Sequence, residues 1–169
     1  MHESVLDFVK RSTRKLPAGA RVLDVGALDI NGSAREVLTD VAEYIGVDLH
    51  PGPGVDIVGD AHNLVDLLGP WDPDGGFDIV LCLEMLEHDD APWLTAAQLA
   101  AVVRPGGLVL ITARGNGFPE HNPPDRFRFM KDGFRALLEQ GGLHVRRITG
   151  DPQVSGWFAN CTVKGGADG

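Results

Sequence analysis

RVLDVGALDINGS, residues 21–33, decides how the chain is read. Val22, Leu23 and Val25 form the unbroken apolar run expected of a strand buried on both faces, and Gly26 lets the backbone turn tightly where that strand ends. With Asp24 near the strand end and Gly32 further along the loop, these are the features with which an α/β sheet receives a nucleotide-like ligand. A glycine after a first strand also serves simple tight turns, so the surrounding pattern has to decide.

Outward from this motif, short β-rich runs recur at residues 44–48, 55–58, 77–83 and 108–113, with helical patterns between them. Trp93, Ala97, Ala100 and Val103 mark one helix, opened by Asp89 or Asp90 as its cap. Phe134, Leu137 and Leu138 mark another, ended by Gly141 and Gly142. Such alternation predicts a doubly wound parallel sheet. Residues 143–149 and 158–164 are strand-like, joined by the turn-rich stretch 150–156 with no helical period between them, which predicts a terminal antiparallel hairpin. No repeat or linker divides the chain. It reads as one domain over 1–169, with an N-terminal helix in 1–20, a ligand-binding core in 21–113, a lid segment in 114–130, a C-terminal helix and hairpin in 131–164, and a frayed Gly-rich tail.

The chain has 169 residues, enough for a core without disulfides or metals. Its formal net charge of -9 argues against a general nucleic-acid or anionic-membrane binder, because counterion-driven binding needs a basic face. Lys10, Arg11, Arg14 and Lys15 read as the wet face of a helix that buries Val5, Phe8 and Val9. No signal-peptide core or spanning run is visible, so a cytoplasmic location is expected. Cys82 and Cys161 sit in apolar stretches without CxxC spacing and read as buried free thiols; metal is not implied.

In a doubly wound sheet, ligands sit beyond the carboxyl ends of the strands. Asp48, after the second run, is placed to accept hydrogen bonds from ribose hydroxyls. The third run is followed by Gly59, Asp60, Ala61 and His62, the fourth by Glu84, Met85, Leu86, Glu87 and His88. With these strand ends in register, the chain resembles the class I S-adenosylmethionine-dependent methyltransferases of the small-molecule "type 11" kind, over about residues 21–143. VLDVG matches the family's first motif, YIGVDL the ribose strand, GDAHNL the adenine contact, FDIVLCLEMLEH the fourth strand and VVRPGGLVLIT the fifth. The departure is in the first loop, where Leu28 replaces the middle glycine of GxGxG and Gly32 comes late, leaving the roles of Leu28, Asp29 and Asn31 open.

The resemblance implies a Rossmann-like α/β fold, a doubly wound, seven-stranded, mostly parallel sheet with a C-terminal antiparallel hairpin. It implies S-adenosylmethionine as cofactor, with Asp24, Gly26, Ala27, Leu28 and Asn31 toward its methionine end, Asp48 and Leu49 at the ribose, Asp60 and Ala61 at the adenine, and Leu83 and Glu84 closing the fourth strand end. Methyl transfer is an in-line displacement that alignment and desolvation accelerate, and a neutral hydroxyl acceptor would also need a base. Candidates for that base are Glu84, Glu87, His88 and His121. His88 reads either as a base titrating near neutrality or as a structural or cofactor contact. Glu84 faces the cleft in a catalytic, substrate-binding or cofactor-side role. His121, in PEHNPPDRFRF, borders the acceptor side or caps a turn. Arg126 and Arg128 alternate with Phe127 and Phe129, read as packed rings with solvated charges rather than an anion rim. Asn122-Pro123-Pro124-Asp125 resembles the NPPY element of amino-methylating enzymes, but follows the fifth strand instead of the fourth and ends in Asp125, which argues against nucleic-acid methylation.

The expected partner is a small or carrier-linked acceptor, bound by a monomer or homodimer. A nicotinamide-dependent oxidoreductase shares the strand, glycine and Asp48 signals but lacks GxGxxG and a Tyr-x-x-x-Lys set. A catalytically silent S-adenosylmethionine-binding protein is the third reading.

Overall fold

The computed structural model describes residues 1–16, 18–69, 76–119 and 123–163. The opening motif supplies the strand β1 (Ala20–Val25), which pairs in parallel with β2 (Val41–Asp48) on one side. Beyond β2 lies the two-residue β3 (Ile57–Val58). On the other side of β1 stands β4 (Phe77–Leu83), followed by β5 (Val103–Arg114), both parallel to it. The antiparallel β6 (His144–Gly150) and β7 (Gly156–Thr162) complete a sheet of order β3-β2-β1-β4-β5-β7-β6. This is the Rossmann-like, seven-stranded sheet with a C-terminal hairpin expected from the sequence. The hairpin docks through its second strand, with β7 against β5 and β6 outside it.

Side-chain alternation along β1 divides the core into two layers. Leu23 and Val25 join one cluster with Leu64, Leu99, Phe134 and Leu138, from the helices α2 (Leu64–Leu68), α3 (Pro92–Val102) and α4 (Lys131–Gln140). Ala20 and Val22 join the other, covered by α1 (Glu3–Ser12), whose Val5, Phe8 and Val9 are buried as its amphipathic pattern predicts. Phe8 stacks on Phe158 of β7 with ring centroids 4.8 Å apart. Fully burying each such side chain contributes on the order of 1.5–3 kcal/mol, so α1 is fixed by packing more than by its N-terminus, which lacks a side-chain cap.

Four expectations are corrected. The third strand is cut to Ile57–Val58, whereas β5 extends back to Val103 through an irregularity at Pro105-Gly106-Gly107, where Phe77 pairs with Val103 and Ile79 with Leu108. The buried face of α3 carries Thr95, Ala96, Leu99 and Val102, and Trp93 is 51% exposed. Nor is α3 capped by Asp89 or Asp90, since its N-cap is Ala91. Asp89 instead accepts from the Ala91 amide at 2.8 Å and from the Thr95 hydroxyl at 2.6 Å, holding the first turn from outside. Cys82 and Cys161 are both buried and free. Lys164 and the tail at 165–169 lie outside the described residues.

Candidate active site

The carboxyl ends of the parallel strands open into one cleft of about 1140 Å³. Gly26 begins its floor. The backbone there has φ +83°, and a Cβ would stand 2.8 Å from Met85 Cγ, so glycine is required both for the turn and for room. The Gly26 and Ala27 amides both donate to the Val47 carbonyl, at 2.9 and 3.1 Å, tying the loop to the end of β2. Asp29 closes the late-glycine stretch locally: its carboxylate accepts from Gly32 N at 2.8 Å, while its own amide donates to Pro53 O at 2.8 Å.

Of the residues expected at the cofactor, Gly26, Leu28, Asn31, Asp48, Leu49, Asp60, Ala61, Leu83 and Glu84 all line this cleft. Asp24 and Ala27 are not on its wall. Alternation turns Asp24 into the layer beneath, where it is 3% exposed and accepts from the Tyr44 hydroxyl at 2.7 Å. Burial raises its pKa to about 6, against the opposing effect of the Tyr44 hydrogen bond. Ala27 is buried, with its methyl against the position of Gly46. Asp48 accepts from Leu28 N at 3.2 Å through one oxygen and from His50 N at 3.0 Å through the other. Each carboxylate oxygen has a second lone pair for a ligand hydroxyl.

The opposite wall is built by the loop after β4. Glu84 adopts φ +57°, unusual for a side-chain-bearing residue. Its amide reaches Thr112 of β5, 2.9 Å from the hydroxyl and 3.2 Å from the carbonyl, and its carboxylate pairs with Arg114. The Arg114 guanidinium is buried, with Asp151 at 3.4 Å, Glu87 at 4.0 Å and the Phe118 ring centroid at 4.3 Å. Glu87 itself is 0% exposed, and burial pushes its carboxyl up to about 7. Its carbonyl accepts from Arg126 N at 2.7 Å and Phe127 N at 3.0 Å, which clamps the lid segment to the loop after β4.

His88 lies on this wall, with Nδ1 3.2 Å from the Pro124 carbonyl and 3.4 Å from Asp125 Oδ1. The Pro124 carbonyl and the Asp125 carboxylate only accept, so Nδ1 is the nitrogen that donates toward them. Asp125 is in turn held by Arg128. Phe129 is buried and Phe127 packs against the core, whereas Arg126 pairs with Asp90, so the alternating segment packs its rings and pairs its charges. His121 lies outside the described residues.

The family described as a methyltransferase domain matches residues 1–145. The chain belongs to that methyltransferase family. It is a class I S-adenosylmethionine-dependent enzyme, as the motif pattern implied, and S-adenosylmethionine is its cofactor. This sets aside the oxidoreductase and silent-binder readings. A ubiquinone biosynthesis O-methyltransferase from Xanthomonas axonopodis pv. citri is 28% identical over 174 residues, covering 94% of this chain and 68% of that protein. Among solved structures, the 1,6-didemethyltoxoflavin-N1-methyltransferase of Burkholderia thailandensis superposes with TM-score 0.76 at 17% identity, covering 96% of this chain and 79% of that one. The [4+2]-cyclase SpnF superposes with TM-score 0.75, also at 17% identity, over 96% and 80%. At these identities the structural likeness is one of fold.

In this methyltransferase, sequence reading alone overlooked four side chains around the cleft: Arg114, Asp125, Asp89 and the imidazole of His62. His62 N and Asp60 form a short cap at 2.9 Å, which the order Asp-Ala-His signals. The contacts of Arg114 with Glu84 and Asp151, of Asp125 with His88 and of Asp89 with the His62 ring join residues far apart in sequence and have no local signature. Among the described residues no helix is long and apolar enough to cross a membrane.

Proposed function

We propose that this enzyme methylates a hydroxyl group of a small or carrier-linked acceptor, with His88 as general base. The observation that carries the reading is the fixed imidazole of His88: a proton-bearing Nδ1 against Pro124 and Asp125, on a wall of the same cleft that the cofactor residues line. A base is required when the acceptor is a neutral hydroxyl and is superfluous for a carboxylate or a free amine. The O-methyltransferase named above supports the same class of acceptor.

The cleft fits the cofactor on its own features. The floor at Gly26 has no room for a side chain, and acids stand at the ends of β2 and β3. Gly26, Leu28 and Asn31 would hold the methionine end, Asp48 and Leu49 the ribose, and Asp60 and Ala61 the adenine. Leu83 and Glu84 would border the sulfur. Bound S-adenosylmethionine supplies a methyl group activated by its sulfonium. The chain's part is to align the acceptor, exclude water and take its proton at His88. Phe118, Pro119 and Pro123 give the acceptor side an apolar rim, and Glu84 is occupied by Arg114, which favours His88 over Glu84 as the base.

The test is transfer of labelled methyl from S-adenosylmethionine to matched phenols, sugars, carboxylates and amines. Methylation of hydroxyls, abolished in His88→Ala with affinity for S-adenosylhomocysteine retained, is expected. Transfer confined to amines or carboxylates, or full activity of His88→Ala, overturns the reading.

A further inference from the structure

Beyond the cleft residues named so far, one imidazole connects two strand-end loops. His62, in the turn after β3, places Nε2 2.7 Å from Asp89 Oδ1 and Nδ1 3.4 Å from Asp60 Oδ1. Asp89 belongs to the loop after β4 and is immobilised by three further features: its side chain is 5% exposed, and it accepts from Ala91 N and from the Thr95 hydroxyl. Asp60 is the opposite case. One oxygen accepts from the His62 amide at 2.9 Å and lies 3.4 Å from the ring Nδ1, while Oδ2 has no hydrogen-bond partner among the described residues, and the residue lines the cleft. A connected path therefore runs from the first turn of α3, through Asp89 and His62, to a carboxylate with one oxygen to spare.

We infer that His62 is a positioning residue that latches the loop after β3 to the loop after β4 and thereby sets the selectivity of the cleft for adenine. The inference rests on the proposed assignment of Asp60 to the adenine. A carboxylate oxygen accepts from the exocyclic amine of adenine, but repels the carbonyl oxygen that stands there in hypoxanthine. Discrimination of this kind requires the carboxylate to be held in place, because one that rotates freely turns away from the wrong base at little cost. The latch supplies the restraint: Oδ1 is held by the His62 amide, and the ring, anchored through Nε2 to Asp89, keeps that turn and the Nδ1 edge beside Oδ1 in place, which fixes the orientation of Oδ2.

The experiment is calorimetric titration with S-adenosylhomocysteine and S-inosylhomocysteine of the wild type, His62→Ala, His62→Gln and Asp60→Ala, with thermal melts of each. The wild type is expected to prefer the adenosyl compound. In His62→Ala that preference should fall by about tenfold, the equivalent of one well-formed hydrogen bond, through weaker adenosyl binding. His62→Gln, which keeps an N–H for Asp89, should restore part of it. An equal loss for both compounds in His62→Ala, or an unchanged ratio with an unchanged melt, overturns the latch. The reading it rests on fails separately: it is overturned if the wild type binds neither compound, or if Asp60→Ala leaves the preference intact.

Discussion

Asp24 and Glu87 are carboxyls placed where water does not reach, and both therefore make stability depend on pH. Glu87 has an ordinary pKa near 4.5 and about 7 in the fold. Between those values the unfolded chain releases this proton while the native protein keeps it, so stability falls as pH rises from about 4.5 to 7 and then levels off. The accumulated cost is on the order of 3 kcal/mol. Glu87→Gln should flatten the pH dependence of Tm across this window and raise Tm at pH 8; an unchanged profile would show that Arg114 already compensates the charge. For Asp48, replacement by Ala should weaken S-adenosylhomocysteine binding by about 1–3 kcal/mol in calorimetry, the worth of a charged hydrogen-bonding group. At this scale the sequence was most legible where function follows a strand end directly. Asp48 and Asp60 line the cleft because each terminates or follows a parallel strand, whereas Asp24, inside β1, is turned into the layer beneath. The contacts of Arg114 with Asp151 and of His88 with Asp125 depend on loops that meet only after folding.

Among the elements, β2 depends on a close approach that its sequence does not announce. A Cβ on Gly46 would lie 2.0 Å from the Gly54 carbonyl oxygen and 2.9 Å from the Ala27 methyl, so the loop after β2 crosses directly over the strand. Gly46→Ala should cost on the order of 3 kcal/mol or more, seen as a lower denaturation midpoint, because backbone must move to admit one methyl. Gly133 in α4 is the contrasting case: nothing lies within 4 Å of a Cβ there. Gly133→Ala should stabilise by about 0.5–1 kcal/mol through helix propensity alone. The strands were legible because an unbroken apolar run such as residues 79–83 has few other uses. The α3 face was not. In PWLTAAQLAAV nearly every residue is apolar or small, so periodicity gives no direction, and the assignment to Trp93 and Ala97 went to the side that faces water.

In the whole molecule, the cleft is shared by loops from both halves of the sheet, so a ligand that fills it joins segments otherwise held only by the strands. S-adenosylhomocysteine at about a hundred times its Kd should add about 2.7 kcal/mol of stability, and raise Tm by roughly 5–10 °C for a chain of this size. NAD at the same concentration should leave Tm unmoved, and a shift with NAD instead would contradict the cofactor assignment. The order of the last two strands bears on how the chain is completed during synthesis. Because β7 stands between β5 and β6, a nascent chain that has emerged only through β6 has nothing to place beside β5, whose Val109, Leu110 and Ile111 then present an unpaired apolar edge. Such an edge is a template for pairing with other chains. The sheet cannot close cotranslationally in the order in which it is made, and ribosome-bound or truncated forms ending before Gly156 should aggregate, while a chain extended through Thr162 remains monodisperse.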